Sequence, residues 1–158
     1  MIAKRVIPFG LAFAGVVILD ILTKLAIITL LPLHQYRQVI PGFFNLVHIR
    51  NRGMAFGIFN AAAGSWKDLV LVFFPLMAVA GILWILFRYP KITPGMALAL
   101  GAILGGALGN LLDRLRFQEV VDFLDFYWRG FHWPAFNVAD SAITVGVGFL
   151  VYRFWREG

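Results

Sequence analysis

Two aspartates, Asp122 and Asp140, are the residues of this chain best suited to chemistry. The sequence holds only eight acidic residues, and these two flank the start of its last long apolar segment. A carboxylate at the centre of a membrane-spanning helix costs about 2.5–3.5 kcal/mol on insertion scales. In a chain that is 61% hydrophobic, acids kept at such places are expected to act. Two carboxylates that meet at a lipid-facing cleft resist double ionisation and share a proton. That arrangement suits acid–base chemistry on a membrane-bound substrate.

Other polar residues fall into step with them. Asp20 and Lys24 are spaced i, i+4 and can pair on one helix face or orient a substrate. Asn110, Asp113 and Arg114 share a face; Arg114 can pair with Asp113 or bind a phosphate or carbonyl oxygen. Asn137, Asp140, Ser141 and Thr144 share another, and Asn137 suits either a helix N-cap or a site role. Asn51, Asn110, Arg114 and Asn137 are candidates to hold a substrate backbone. Gly53, after Asn51-Arg52, suits a turn. Asp113 and Asp125 suit either a structural role or a place in the site.

Four apolar segments, roughly 7–31, 69–88, 93–112 and 136–155, are long enough to cross a bilayer at about 1.5 Å per residue. Residues 37–59 and 118–128 are β-rich, with turn signals at Pro41-Gly42, Arg52-Gly53 and Arg129-Gly130. Met54 to Phe59 suit a returning hairpin strand. Residues 61–68 suit a short interfacial helix with Trp66 at headgroup depth. Gly101, Gly105, Gly106 and Gly109 form a small-residue stripe that predicts close helix packing. The expected fold is a mainly α membrane protein. It has four transmembrane helices, a small outer-face β-sheet and a short interfacial helix, in one domain over residues 1–158.

An even number of spans puts both termini on one side. Lys4, Arg5, Arg88, Lys91, Arg153 and Arg156 crowd into very short segments there, which favours cytoplasmic termini. The polar groups of the first, third and fourth segments then all lie toward the outer leaflet. A channel or pump would carry such groups through the midplane. A transporter relaying through Asp20, Lys24 and Asp140 is therefore disfavoured. So is a lipid-headgroup transferase, which wants clustered metal-binding carboxylates or an acyl-transfer base.

Composition narrows the choice further. The net charge is +6, but the basic residues are scattered, which fits topology and anionic headgroups and not nucleic acid. There is no cysteine, and His34, His48 and His132 are far apart in sequence, so no metal and no cofactor are expected. No Gly-x-Ser-x-Gly, Gly-x-Gly-Asp or Walker-type motif is present. Lys4 and Arg5 precede an apolar stretch running to Pro32, longer than the roughly 7–15 residues of a signal-peptide core. It reads as an uncleaved first span.

Five ordered blocks carry a family resemblance. They are Asp20-x-x-Thr23-Lys24; Asn51-Arg52-Gly53-Met54-Ala55-Phe56; Gly105-Gly106-Ala107-Leu108-Gly109-Asn110-x-x-Asp113-Arg114; Val121-Asp122-Phe123; and Pro134-Ala135-Phe136-Asn137-Val138-Ala139-Asp140-Ser141. In that order the chain resembles bacterial lipoprotein signal peptidase, or signal peptidase II, along essentially its whole length. Ile21 departs from the family, which usually has a polar residue after the first Asp. The resemblance implies a protease that cuts the signal peptide from prolipoproteins, just before a diacylglyceryl-modified cysteine. It implies Asp122 and Asp140 as the catalytic pair, with Asp20, Lys24, Asn51, Gly53, Asn110, Asp113, Arg114 and Asn137 in support. It implies no metal or cofactor, and inhibition by globomycin-type cyclic peptides. Nothing in the chain forces assembly, so a monomer is expected, bedded in membrane lipid of the bacterial inner membrane.

Overall fold

The computed structural model describes residues 3–53, 65–89 and 92–157. Four helices and one sheet make up the described chain. In order they are α1 (Ala3–Leu30), β1 (Tyr36–Ile40), β2 (Phe44–Asn51), α2 (Ser65–Arg88), α3 (Pro94–Phe117), β3 (Val120–Trp128), β4 (Phe131–His132) and α4 (Val138–Glu157). Residues 54–64, with the expected hairpin return and the start of the expected 61–68 helix, lie outside the described residues. Ser65 to Asp68 are not a separate helix: they form the first turn of α2. Among the described residues, Lys4–Leu30, Pro94–Phe117 and Val138–Arg156 are long and apolar enough to cross a membrane, while the apolar stretch Pro75–Arg88 of α2 is shorter.

Burial runs opposite to that of a water-soluble protein. Leu11, Leu30, Val145 and Trp155 are 69–81% exposed, while Asp20 is fully buried. Apolar side chains facing outward in this number fit a lipid surround, and polar groups facing inward fit the need to satisfy them internally. α3 is the central helix, with 61% of its most apolar window buried against 17% for α1 and 11% for α4. Its Ile103, Leu100 and Leu104 pack with Ile82 of α2, flanked by Phe9, Phe13 and Leu150.

Small residues make that packing possible. A Cβ on Gly101 or Gly105 would collide with the backbone oxygens of Phe9 or Phe13 on α1, and one on Gly106 with that of Ala139 on α4. The stripe read from the sequence is thus the contact line of α3 on two neighbours. α3 begins with Thr93 capping the Met96 N–H and Pro94 in its first turn. It ends at Gln118, whose left-handed backbone (φ 58°) reverses the chain into β3.

The sheet is antiparallel in the order β1-β2-β3-β4. Arg129 and Gly130, with φ of 50° and 83°, turn β3 into β4 as a two-residue hairpin, where the sequence had set the turn. Ile27 of α1, Val121 and Phe123 of β3, and partly buried Leu46 and Val138 join the sheet to the bundle. The sheet therefore sits where α1 ends, α3 ends and α4 begins. At the other end Arg5 donates to the carbonyl of Tyr89 at 3.0 Å. The start of α1 and the end of α2 thus lie together, as the even-span reading requires.

Gly106→Ala should destabilise the protein by about 1–3 kcal/mol, the usual cost of overpacking. Gly148→Ala, where a Cβ meets nothing within 4 Å, is its matched control. Thermal midpoints in detergent check this; equal midpoints for the two variants would refute the contact line.

Candidate active site

Four structural devices bring the polar residues together at the joint of bundle and sheet. The first is an ion cluster. The Lys24 ammonium lies 2.8 Å from Asp20 Oδ2, 3.0 Å from Asp113 Oδ2 and 3.0 Å from Asn110 Oδ1. All four residues are buried. The Asp20–Lys24 pair is thus formed, whereas Asp113 pairs with Lys24 and not with Arg114. Arg114 instead donates to the carbonyl of Gly53 at 3.0 Å, holding the chain just beyond β2. Close approach is again needed, since a Cβ at Gly109 would overlap the carboxylate of Asp20.

The cluster also grips backbone from other elements. Asp20 Oδ1 accepts the Ala139 N–H at 3.0 Å, and Asp113 Oδ2 accepts the Val121 N–H at 3.1 Å. Ala139 and Val121 are the chain neighbours of Asp140 and Asp122. Thus the two aspartates of interest are each anchored, one residue away, to a carboxylate held by Lys24.

Asn137 is the second device. It caps α4, with Oδ1 accepting the Asp140 N–H at 2.9 Å. Its Nδ2 donates to Asp122 Oδ1 at 2.8 Å and approaches Asn110 Oδ1 at 3.1 Å. The cap and the site role are served by one side chain. Asn110 continues the chain, its Nδ2 donating to Asp140 Oδ1 at 2.8 Å. Asp122 and Asp140 are therefore linked through two carboxamides, Asn137 and Asn110.

The third device is a β-bulge. Leu46 faces Leu124, but three residues later on β2 Ile49 faces Asp122, only two steps along β3. One extra residue sits on β2, and every later β2 side chain changes face relative to β3. Asn51 is thereby placed opposite Val120, on the face of Asp122, and its Nδ2 reaches Asp122 Oδ2 at 3.0 Å. Without the bulge Asn51 would lie on the other face. Its Oδ1 accepts the Gly53 N–H at 2.8 Å, an Asx turn that bears out the turn reading of Gly53.

Asp122 is 2% exposed and Asp140 half-buried in the first turn of α4. The Asp122 carboxyl is pushed up to about 7, chiefly by burial and next by the charge of Asp140, against amide donation from Asn51 and Asn137. A groove of about 350 Å³ on α4 is lined by Trp133, Phe136, Asp140, Ser141, Ile143 and Thr144, so it reaches the Asp140 member of the pair. It is the fourth device, an apolar path that ends on a carboxyl.

Asp125 stands apart. Its side chain lies on the face of β3 opposite that of Asp122, where it accepts from Asn45 at 2.8 Å and meets His132 Nδ1 at 2.8 Å. This cluster, and the Arg52–Glu119 ion pair at 2.6 Å, were not read from the sequence. Nothing in local spacing signals either, because both depend on strand register.

Known proteins share this arrangement of chain. The family model for signal peptidase (SPase) II matches residues 12–156. The lipoprotein signal peptidase of Syntrophotalea carbinolica is 47% identical over 146 residues, 90% of this chain and 88% of that protein. That of Desulforapulum autotrophicum is 47% identical over 153 residues, covering 97% and 94%. Two solved bacterial membrane enzyme structures, each 30% identical, superpose with TM-scores of 0.85 and 0.83 over 96% and 97% of this chain, and over 90% and 96% of their own. The chain belongs to the signal peptidase II family and is a membrane protease.

Proposed function

We propose that the protein is an aspartyl endopeptidase that removes the signal peptide from diacylglyceryl-modified prolipoproteins, cutting just before the lipidated cysteine. One observation carries the reading: Asp122 and Asp140 are joined through Asn137 and Asn110, and Asp140 lines an apolar groove. One carboxyl of the pair is ionised and takes a proton from a water held between them. The water oxygen bonds to the scissile carbonyl carbon. The other carboxyl gives its proton to the developing oxyanion. The roles then exchange: the oxyanion's proton returns, the C–N bond breaks and the amine leaves protonated. Titration belongs to the pair.

The three asparagines proposed to hold a substrate backbone are engaged on the two carboxylates. Their role in this mechanism is to hold the dyad. α2, with 24 residues, supplies the fourth span, both termini face the cytoplasm and the sheet lies at the outer leaflet. The substrate's acyl chains stay in the bilayer beside α4, and its peptide lies extended against the sheet end. The protein acts as a monomer of the inner membrane, is blocked by globomycin-type peptides, and needs no metal or cofactor because the carboxyl pair itself activates the water.

Asp122→Asn and Asp140→Asn should each lower turnover of a lipidated prolipoprotein at least about a hundredfold, the low end of acid–base contributions, with insertion unaffected. Asp125→Asn should unfold at lower temperature yet keep most of its turnover. A gel-shift assay on purified protein decides, and near-normal cleavage by either dyad variant would remove that residue from the chemistry. Unlipidated precursor should not be cut.

The pH dependence has a definite sign. A carboxyl held protonated up to about 7 supplies the acid of the pair below that pH and loses it above. Log kcat/KM, which reports the substrate-free protein, should therefore bend downward above about pH 7, toward a slope of −1. A rate still flat about two pH units higher would show that no protonated carboxyl is needed.

A further inference from the structure

A carboxamide presents an oxygen that accepts on one edge and an NH2 that donates on the other; its neighbours decide which way it lies. Asn110 and Asn137 each meet one neighbour that leaves no choice. The Lys24 ammonium has donors only, so the edge of Asn110 it touches at 3.0 Å is the oxygen. The Asp140 N–H likewise selects the oxygen of Asn137 at 2.9 Å. Both NH2 groups must then face the carboxylates: Asn110 toward Asp140 and Asn137 toward Asp122, each at 2.8 Å. A reversed Asn110 would set its oxygen against the Asp140 carboxylate and its NH2 against an ammonium.

Asp20 and Asp113 neutralise the ammonium as ion partners. Its hydrogen bond to Asn110 leads to the dyad. We propose that Lys24 is a positioning residue for the reaction: its buried ammonium locks the Asn110 carboxamide so that the NH2 group is held on Asp140. This assigns Lys24 a task beyond its ion pair, and its kinetic readout rests on the proposed peptidase activity. Asp20 and Asp113 carry the ammonium's hold to the backbone beside the dyad, while Asn110 alone carries it by hydrogen bonds onto a dyad carboxylate.

Asn110→Leu, which adds no charge, runs beside Asn110→Asp, and both remove the donated bond. Asn110→Asp keeps oxygens for Lys24 and Asn137, loses the N–H that Asp140 receives and adds a carboxyl beside it. The kcat of each on lipidated prolipoprotein should fall at least about tenfold, as for a lost hydrogen bond to a charged group, with KM nearly unchanged and, for Asn110→Asp, the thermal midpoint retained. An unchanged kcat overturns the proposal. A double-mutant cycle isolates Lys24. Lys24→Met should lower kcat by a clearly larger factor in the wild-type background than in Asn110→Leu, where no amide remains to be oriented. An equal loss in both backgrounds would show that Lys24 acts by another route and overturns the proposal. Should Lys24→Met fail to fold, Lys24→Met/Asp20→Asn, which removes the stranded carboxylate, takes its place with Asp20→Asn as its reference.

The side-chain amide 15N–1H spectrum reads the orientation without catalysis. The Asn110 resonances, identified by their absence from Asn110→Asp, should be protected from solvent exchange in wild type and lose that protection when Lys24 is replaced. Retained protection overturns the proposal. A wild type that cleaves no lipidated precursor would sink the proposed function, while the amide spectrum would still decide the orientation.

Discussion

The buried Lys24 ammonium is the constraint on which the rest of the site depends. A charge withdrawn from water must be met in full, and breaking such a pair costs about 3–5 kcal/mol. Here the ammonium meets three acceptors, from Asp20, Asn110 and Asp113. The free carboxylate oxygen of Asp20 and the paired one of Asp113 also hold backbone N–H groups of α4 and β3. Charge neutralisation is thereby converted into position. α1, α3, the start of α4 and the start of β3 can satisfy the cluster only in one mutual arrangement, and that arrangement sets Asp122 near Asp140.

Two backbone features let the side chains arrive. Gly109 leaves room for Asp20 to lie directly against α3, and Gly106 lets α4 approach until Ala139 is in contact. Larger residues would separate the helices by more than a hydrogen bond can span. On the sheet side the bulge in β2 does the corresponding work. A regular strand would send Asn51 to the Asp125 face and leave one oxygen of Asp122 without its donor. An unregistered donor would matter here because Asp122 is almost wholly buried.

Much of this was legible in the sequence, for identifiable reasons. The helices announced themselves by length and apolarity, and the glycine stripe of α3 by its spacing. The Arg129-Gly130 turn followed from residue type. The candidate site residues stood out because ionisable groups are scarce in so apolar a chain, and motif order then tied the chain to a family. What did not show was partner choice. Arg114 beside Asp113 in sequence suggests an ion pair, yet one helical residue turns a side chain by about 100°, sending Asp113 to Lys24 and Arg114 to Gly53. The bulge was hidden because register is a property of two strands together. The asparagines read as substrate holders because their amides have no sequence-level sign of direction.

The balance struck at Asp122 explains why the site lies at the joint and not within the bundle. Deep among the helices, with no donors, a carboxyl pair would simply stay neutral and could not act as a base. On an open surface both members would ionise, and neither could act as an acid. At the joint, burial and the neighbouring Asp140 push the Asp122 carboxyl up, while the Asn51 carboxamide, the Lys24 charge and the Asn137 carboxamide pull it back, to about 7. Each of those amides comes from a different element: Asn51 from the bulged end of β2 and Asn137 from the cap of α4. A sheet edge and a helix start must therefore converge on one aspartate for the pair to hold a single proton near neutral pH. Neither element could supply that environment alone, which is why a protein of four helices carries a sheet.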